Sequence, residues 1–402
     1  MRPLSLLLLA ATPAWAQLPA AVTLDEVLRI VEQSPRVAVS QREADIARAD
    51  RSAAGALLNP TLSLGRANSS SGERTIFDAN SQQQATVELP VPIFGQRGAR
   101  VRAADLALGR AESQVRLTVT ETKRLAGLEF IRLAVAQEQL AARRAALADV
   151  ERIRGLVAGR QGSGMASRYD LARADAERAL ANLGVQKALT ELNEHSAALA
   201  GLVDAPGWRP QASTGIDQLL GQLGDAQGDF AASPALRVAR DETAAAEARL
   251  ELAQRERYPV PALQFGRTWT SGPFGAANFF GVTSEIPLLD TRRALVDKAS
   301  AEHGAARERE RMVVATVRTE YDKQREALRV RQDALARFER DVPDRQSAFL
   351  EMAESAYRLG RGTLFELLDA RRTQLEATLA RSELVGATAE AQLELRALSG
   401  GL

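Results

Sequence analysis

The chain has 402 residues, 45% hydrophobic, 26% charged and only 4% aromatic, with Ala and Leu carrying the apolar class; that mix suits long, closely packed helices better than two or three ordinary cores. Lys plus Arg number 52 against 51 for Asp plus Glu, so no net basic field draws the chain onto nucleic acid. Cysteine is absent, which excludes disulfides, thiolate zinc sites, iron–sulfur clusters, a cysteine nucleophile and an N-terminal lipidated cysteine.

Residues 1–16 carry Arg2, the apolar run Leu4 to Ala11 and the small-x-small ending Ala14-Trp15-Ala16, the plan of a secretory signal cleaved before Gln17. Its apolar run of about eight residues is too short to span a bilayer, which takes about 20. No other stretch of about 18 uncharged apolar residues follows, so the mature chain is predicted to be exported without a helical anchor.

A first structural repeat is predicted over 17–203. A helical stretch leads to Pro60, strands at about 61–67 and 82–91 flank a polar loop, and a proline-free helical stretch runs from Arg97 to Ala158, with Leu125, Leu128, Ile131 and Val135 at helical spacing. Gly159 to Gly164 turn the chain into a return helix. A Gly- and Pro-bearing connector, 204–229, precedes a second repeat over 230–402. There, strands at about 262–270 and 279–287 lead to a helix from Thr291 to Val342, which resumes after Pro343 toward Leu359. Gly360-Arg361-Gly362-Thr363 starts the last return helix.

The duplication is read from collinear matches. Ser34-Pro35 answers Ser233-Pro234, Pro60 answers Pro259, Glu88-Leu89-Pro90 answers Glu285-Ile286-Pro287, and Tyr169-Asp170-Leu171 answers Phe365-Glu366-Leu367. Order holds while offsets drift by a few residues, as loop insertions in two copies of one unit would leave them.

The strands alternate. Ala85, Val87 and Leu89 fall on one face and Gln84, Thr86 and Glu88 on the other; Val282 and Ile286 oppose Gly281, Thr283 and Glu285. Arg66 and Arg267 share the apolar parity of Leu62, Leu64, Leu263, Phe265 and Trp269. They are read as snorkelling at a membrane boundary; otherwise the face assignment fails there. An exported chain with lipid-compatible strand faces crosses an outer membrane only as a closed barrel. Four strands cannot close, since about eight is the usual minimum, so strands must be pooled between copies. Three copies supply three times four, around a lumen lined by Gln84, Thr86, Glu88, Thr283 and Glu285. The fold class expected is mainly α with a small membrane β-barrel, long helical hairpins forming a tunnel below it.

Together these features resemble the outer-membrane factor family, the exit ducts of tripartite efflux pumps and type I secretion systems of Gram-negative bacteria. The resemblance is carried by the duplicated halves, by Leu58-Asn59-Pro60-Thr61-Leu62, by Val87-Glu88-Leu89-Pro90-Val91-Pro92-Ile93-Phe94-Gly95-Gln96-Arg97, and by Tyr357 through Arg371. The Pro-Ile-Phe-Gly-Gln-Arg passage and the short length look most like the branch serving heavy-metal cation pumps of the cobalt–zinc–cadmium and copper type. The resemblance implies a homotrimer in the outer membrane with a 12-stranded barrel, an α-helical periplasmic tunnel, and a tip that docks a periplasmic adaptor coupled to an inner-membrane RND-type pump. It places Glu366, Asp369 and Asp170 at a periplasmic gate, held closed by Arg168, Arg173 or Arg371. The alternative is a solvated helix face with ordinary i, i+4 pairs. It places Gly164, Ser167, Tyr169, Gly360, Gly362 and Leu364 on an adaptor-docking tip, where the glycines also serve, or only serve, to end helices.

No chemistry competes with this reading. Two histidines, His195 and His303, and four methionines, Met1, Met165, Met312 and Met352, make no ligand cluster. Neither a phosphate-binding loop nor a nucleophile elbow is present. No enzyme activity, metal site or cofactor is therefore expected, and transport energy must come from a partner. A drug-efflux or type I secretion duct and a pore-less periplasmic coiled-coil scaffold are the competing readings; duplicated, proline-flanked strand pairs favour the duct, since a scaffold has no use for them.

Overall fold

The computed structural model describes residues 18–68, 81–224, 228–270 and 275–402; the export signal read at 1–16 lies outside them. In chain order the elements are β1 (Ala21–Val22), α1 (Leu24–Val31), α2 (Pro35–Gly55), β2 (Thr61–Asn68), β3 (Ser81–Pro90), α3 (Gln96–Gly162), α4 (Arg168–Leu202), β4 (Gln211–Ala212) and α5 (Ile216–Leu223). A 3-10 turn at Phe230–Ala232 leads to α6 (Pro234–Arg255), β5 (Ala262–Thr270), β6 (Ala276–Thr283), α7 (Arg293–Asp341), α8 (Pro343–Arg358) and α9 (Leu364–Leu398). The order α2-β2-β3-α3-α4 recurs as α6-β5-β6, then α7 with α8, then α9. Pro343 explains why the second long helix comes in two pieces. Its ring clashes with the carbonyl four residues back and lacks an N–H, so α7 stops at Asp341, yet Pro is welcome in the first turn of α8.

The chain divides into two compact units, each drawing on both halves of the sequence. One comprises residues to Val39, Arg116–Pro234 and Thr316–Leu402. Its core gathers Val22, Val27 and Val31, then Phe130, Ile131 and Leu133 of α3, Leu199 of α4, and Val385, Ala389 and Leu393 of α9. Helices α3 and α9 approach closely through two glycines: a Cβ on Gly127 would lie 2.7 Å from Leu393 Cδ2, and one on Gly386 2.5 Å from Val135 Cγ2. The segment read as a connector is part of this core. Its β4 pairs in parallel with β1, and Trp208, Ile216, Leu219 and Leu223 are buried. The last three share the i, i+3, i+7 stripe of an amphipathic helix, an element the connector expectation for 204–229 does not contain. Gln137 of α3 secures β4, accepting from Ala212 N at 2.6 Å.

The other unit, Ser40–Val115 with Ala235–Ala315, holds an antiparallel sheet in the order β2-β3-β5-β6 and the helices leading into and out of it. Register sorts the side chains into rows. On one face lie Leu89, Leu263 and Val282, then Leu62, Val87, Phe265 and Phe280, then Leu64, Ala85, Arg267 and Asn278, then Arg66, Gln83, Trp269 and Ala276. Two apolar rows thus end in a row-pair where Arg267 lies over the Trp269 ring at 5.5 Å and Arg66 donates to Asn68 at 3.3 Å. Leu62, Leu64 and Phe280 are 63%, 76% and 70% exposed, so this apolar face has no cover among the described residues. The opposite face carries Gln84, Thr86, Glu88, Gln264, Thr268 and Thr283.

The last strand differs from the expected 279–287: it starts at Ala276 and ends at Thr283, which pairs with Ala262. Beyond Ala262 the partner strand runs into Pro261 and Pro259, which have no N–H to donate, so the ladder stops. Glu285 consequently lies outside the strand.

The base of the sheet is clasped by the passage Phe94-Gly95-Gln96-Arg97. Gln96 is buried; its Nε2 donates to the Tyr258 and Pro259 carbonyls at 3.3 and 3.4 Å, and its Oε1 accepts from Phe94 N at 3.0 Å. Phe94 stacks on Tyr258 at 5.5 Å. Arg97 and Arg100 donate to the Gly55, Ala54 and Ala56 carbonyls, satisfying the open C-terminal end of α2.

Candidate functional site

The two glycine turns are built alike. Gly164 and Gly360 adopt φ of +77° and +70°. The following residues bond back across the turn, Met165 N to Arg160 O at 2.8 Å and Arg361 N to Ala356 O at 2.9 Å. This is the left-handed helix stop that glycine permits without a Cβ penalty. Gly362 has a separate reason to be small: a Cβ there would meet Ala356 Cβ at 3.0 Å and Tyr357 N at 3.1 Å.

Each return helix then opens with a capping box. Ser167 Oγ accepts from Asp170 N at 3.1 Å while the Asp170 carboxylate accepts from Ser167 N at 3.0 Å. Thr363 Oγ1 accepts from Glu366 N at 3.2 Å while Glu366 Oε2 accepts from Thr363 N at 2.8 Å. Two of the three acids read as gate residues are therefore N3 residues of their helices. The hydrogen bonds from the Ser167 hydroxyl, then its amide, hold the Asp170 carboxyl below its ordinary range, so it carries its charge at neutral pH. Asp369 is exposed one turn further along α9.

The arginines distribute themselves differently from the expected pairing. Arg371 bonds Asp149 of α3 at 2.8 Å and pairs with Glu354 of α8, not with Glu366 or Asp369. Helical spacing gives the reason: Arg371 follows Leu364, Leu367 and Leu368 on the buried stripe of α9, whereas Glu366 and Asp369 lie on the outer one. Arg372 is the cation beside Asp369. Its guanidinium is raised mainly by Glu177, 2.6 Å away, with smaller contributions from Glu376 and Asp369. Arg173 lies over the Phe365 ring at 4.7 Å, and Arg160 over the Tyr357 ring at 4.5 Å. A cleft of about 590 Å³ between α3, α4 and α9 is bordered by the Arg371 and Arg372 ion pairs and by Ala145, Ala146 and Gly184.

Of the residues read as a docking tip, Gly164, Ser167, Tyr169 and Gly360 are exposed and Gly362 is half-buried. Leu364 is not at the surface: it is 5% exposed, packed with Ile153, Val157, Tyr357 and Leu367. The first residue of a capped amphipathic helix carries the start of its buried stripe, so an apolar residue there turns inward. Met165, Leu359 and Phe365, absent from the expected docking tip, are the large apolar side chains left exposed beside Tyr169 at these turns. Their signal was present as apolar residues off the helical stripe.

In the sheet, Gln84, Thr86, Glu88 and Thr283 share one face, and Gln264 Nε2 donates to the Glu88 carboxylate. His195 Nδ1 bonds Glu129 at 2.9 Å. Among the described residues no group of three His, Cys, Asp or Glu is placed to hold a metal, and no helix is long and apolar enough to cross a membrane.

Residues 230–401 match the family model described as outer membrane efflux protein. Solved structures with the same fold include CusC, 18% identical with a TM-score of 0.77 over 98% of this chain and 96% of that one. The VceC outer membrane protein of Vibrio cholerae is 19% identical, with a TM-score of 0.75 over 94% and 96%. The open-state MtrE outer membrane channel of Neisseria gonorrhoeae is 18% identical, with a TM-score of 0.76 over 94% and 89%. A search of curated proteins finds no match.

Proposed function

We propose, from the match of residues 230–401 to the outer membrane efflux protein family model, that three copies of this chain assemble into the passive exit duct of a tripartite efflux system. The observation that carries the reading is the open sheet. One face is apolar and exposed, the other bears Gln, Thr and Glu, and its outer strands β2 and β6 each have a single strand partner among the described residues. In hydrocarbon every unpaired amide or carbonyl costs several kcal/mol. A sheet of this kind meets lipid only when closed, and closure requires strands from other copies. The polar face then lines a water-filled lumen through Gln84, Thr86, Glu88 and Thr283.

On this reading the helices line a periplasmic tunnel. Asp170, Glu366 and Asp369 form its acidic mouth, and Gly164, Ser167, Tyr169, Gly360 and Gly362, extended by Met165 and Phe365, dock the adaptor that links the duct to an inner-membrane pump. The cargo assigned is heavy-metal cations, supported by the resemblance of the Pro92-Ile93-Phe94-Gly95-Gln96-Arg97 passage to that branch. The protein purified from outer membranes is expected to run as a heat-sensitive trimer and to pass current across planar bilayers; a monomer without current refutes the duct. A cysteine placed at Ser167 or Thr363 is expected to cross-link to the adaptor. Loss of the gene should sensitise cells to cobalt, zinc, cadmium or copper. Sensitivity to dyes and drugs instead, or a secretion defect, reassigns the cargo.

A further inference from the structure

Resting on the duct reading, we propose that Phe279 and Gly266 together set the bore of the sheet-lined passage. The polar face reads, row by row, Thr61, Glu88, Gln264, Gly281; then Ser63, Thr86, Gly266, Phe279; then Gly65, Gln84, Thr268, Ala277. Phe279 is the single aromatic side chain among the described residues of that face. It breaks the pattern of its strand, where Ala277, Gly281 and Thr283 are small or polar, while the adjacent Phe280 takes the apolar face against Phe265 at 5.2 Å. Directly opposite Phe279 is Gly266, and a Cβ built there would lie 2.1 Å from Phe279 Cζ and 2.3 Å from Cε1. The ring therefore lies down over the glycine, the cross-strand arrangement in which an aromatic covers a position without a side chain. Thr86, the next residue along the row, is 7% exposed, its hydroxyl accepting from Gln84 Nε2 at 3.1 Å on the same face, so side chains close over the sheet at this level.

The consequence is steric. With Gly266 vacant of side chain the ring rests against the wall; any side chain at 266 lifts it off the wall, and in a closed barrel three lifted rings would stand at one level of the lumen. Gly266 is thus the receptacle and Phe279 the movable obstruction. Gly266→Val is expected to lower single-channel conductance, Phe279→Ala to leave it at or above the wild-type level, and the double variant to recover what Gly266→Val lost. Trimers of Gly266→Val with wild-type conductance, or a double variant that stays low, overturn the proposal.

Because Gly266→Val puts folding at risk, a second arm uses the cysteine-free background. A membrane-impermeant, charged methanethiosulfonate reagent should reduce the current of Phe279→Cys and leave that of Phe280→Cys unchanged. The opposite pattern overturns the assignment of faces on which the proposal stands. A wild-type protein that passes no current at all fails the duct reading itself, which these variants do not enter.

Discussion

Replacing Arg371 by Met removes the guanidinium that joins three helices while keeping much of its stem volume. Arg371 Nη1 bonds Asp149 of α3 at 2.8 Å and Gln374 at 3.1 Å, and Nη2 pairs with Glu354 of α8. Breaking a fully buried pair costs about 3–5 kcal/mol, because an uncompensated charge stays behind, whereas exposed pairs contribute about 0–1 kcal/mol. Here Arg371 and Asp149 are 18% and 21% exposed and Glu354 36%, so the expectation falls between, at about 2 kcal/mol. At 1.4 kcal/mol per decade that is about a 30-fold change in a local opening equilibrium. Native-state hydrogen exchange of the purified protein should show it as a loss of protection of that size in α8 and the first turns of α9, with the β1–β4 region unchanged. Arg371→Lys should fall between, since an ammonium cannot span both carboxylates as a planar fork does. Unchanged protection in Arg371→Met would refute the claim that this guanidinium ties α8 and α9 to α3.

Three further outcomes follow from the geometry. The Asp170 carboxyl lies below its ordinary range when folded, so its stabilisation of the α4 start is present above about pH 4 and is lost as pH falls through the depressed value; amide exchange at Ser167 and Asp170 should accelerate in acid, and Asp170→Asn should flatten that acid limb. Gly127→Val should lower the melting temperature, at a cost of about 1–3 kcal/mol for overpacking against the fully buried Leu393, whereas Gly155→Ala in the same helix, with open space around it, should stabilise by up to about 1 kcal/mol; equal effects would contradict the close approach. Glu366→Gln combined with Asp369→Asn should raise single-channel conductance or abolish cation preference, and because Gln still accepts the cap hydrogen bond, unchanged currents count against an acidic mouth rather than against folding.

Local chemistry made much of this molecule legible. The period-2 alternation of residues 84–89 reports a strand with unlike faces, because successive side chains point to opposite sides of a sheet. Gly164 and Gly360 report helix ends, because only a residue without a Cβ takes positive φ freely. Pro343 reports a break, because its ring cannot continue a helix. Less legible was whatever depends on a partner distant in sequence. Arg371, one of three arginines the sequence offers to the acids, meets Asp149 and Glu354 instead, because spacing along α9 shows which stripe it occupies but not which acids face that stripe. Leu364 follows an exposed turn, yet the buried stripe begins at the first helical residue and turns it inward. The last strand ends earlier than the expected 287 because its end is decided by Pro261 on another strand. Phe279 escaped notice because Gly266, which makes room for it, is its neighbour only across the sheet.

By itself, the order of residues determined the two copies of one unit, through matches that stay collinear, and the existence of the strands and long helices, through backbone preferences and side-chain alternation within a few residues. The tertiary structure alone decided that the segment between the copies is core, that Gln96 clasps the base of the sheet, which acid each arginine meets, and that one glycine lets one phenylalanine lie flat. Those depend on distances between residues tens to hundreds of positions apart, and only packing sets such distances.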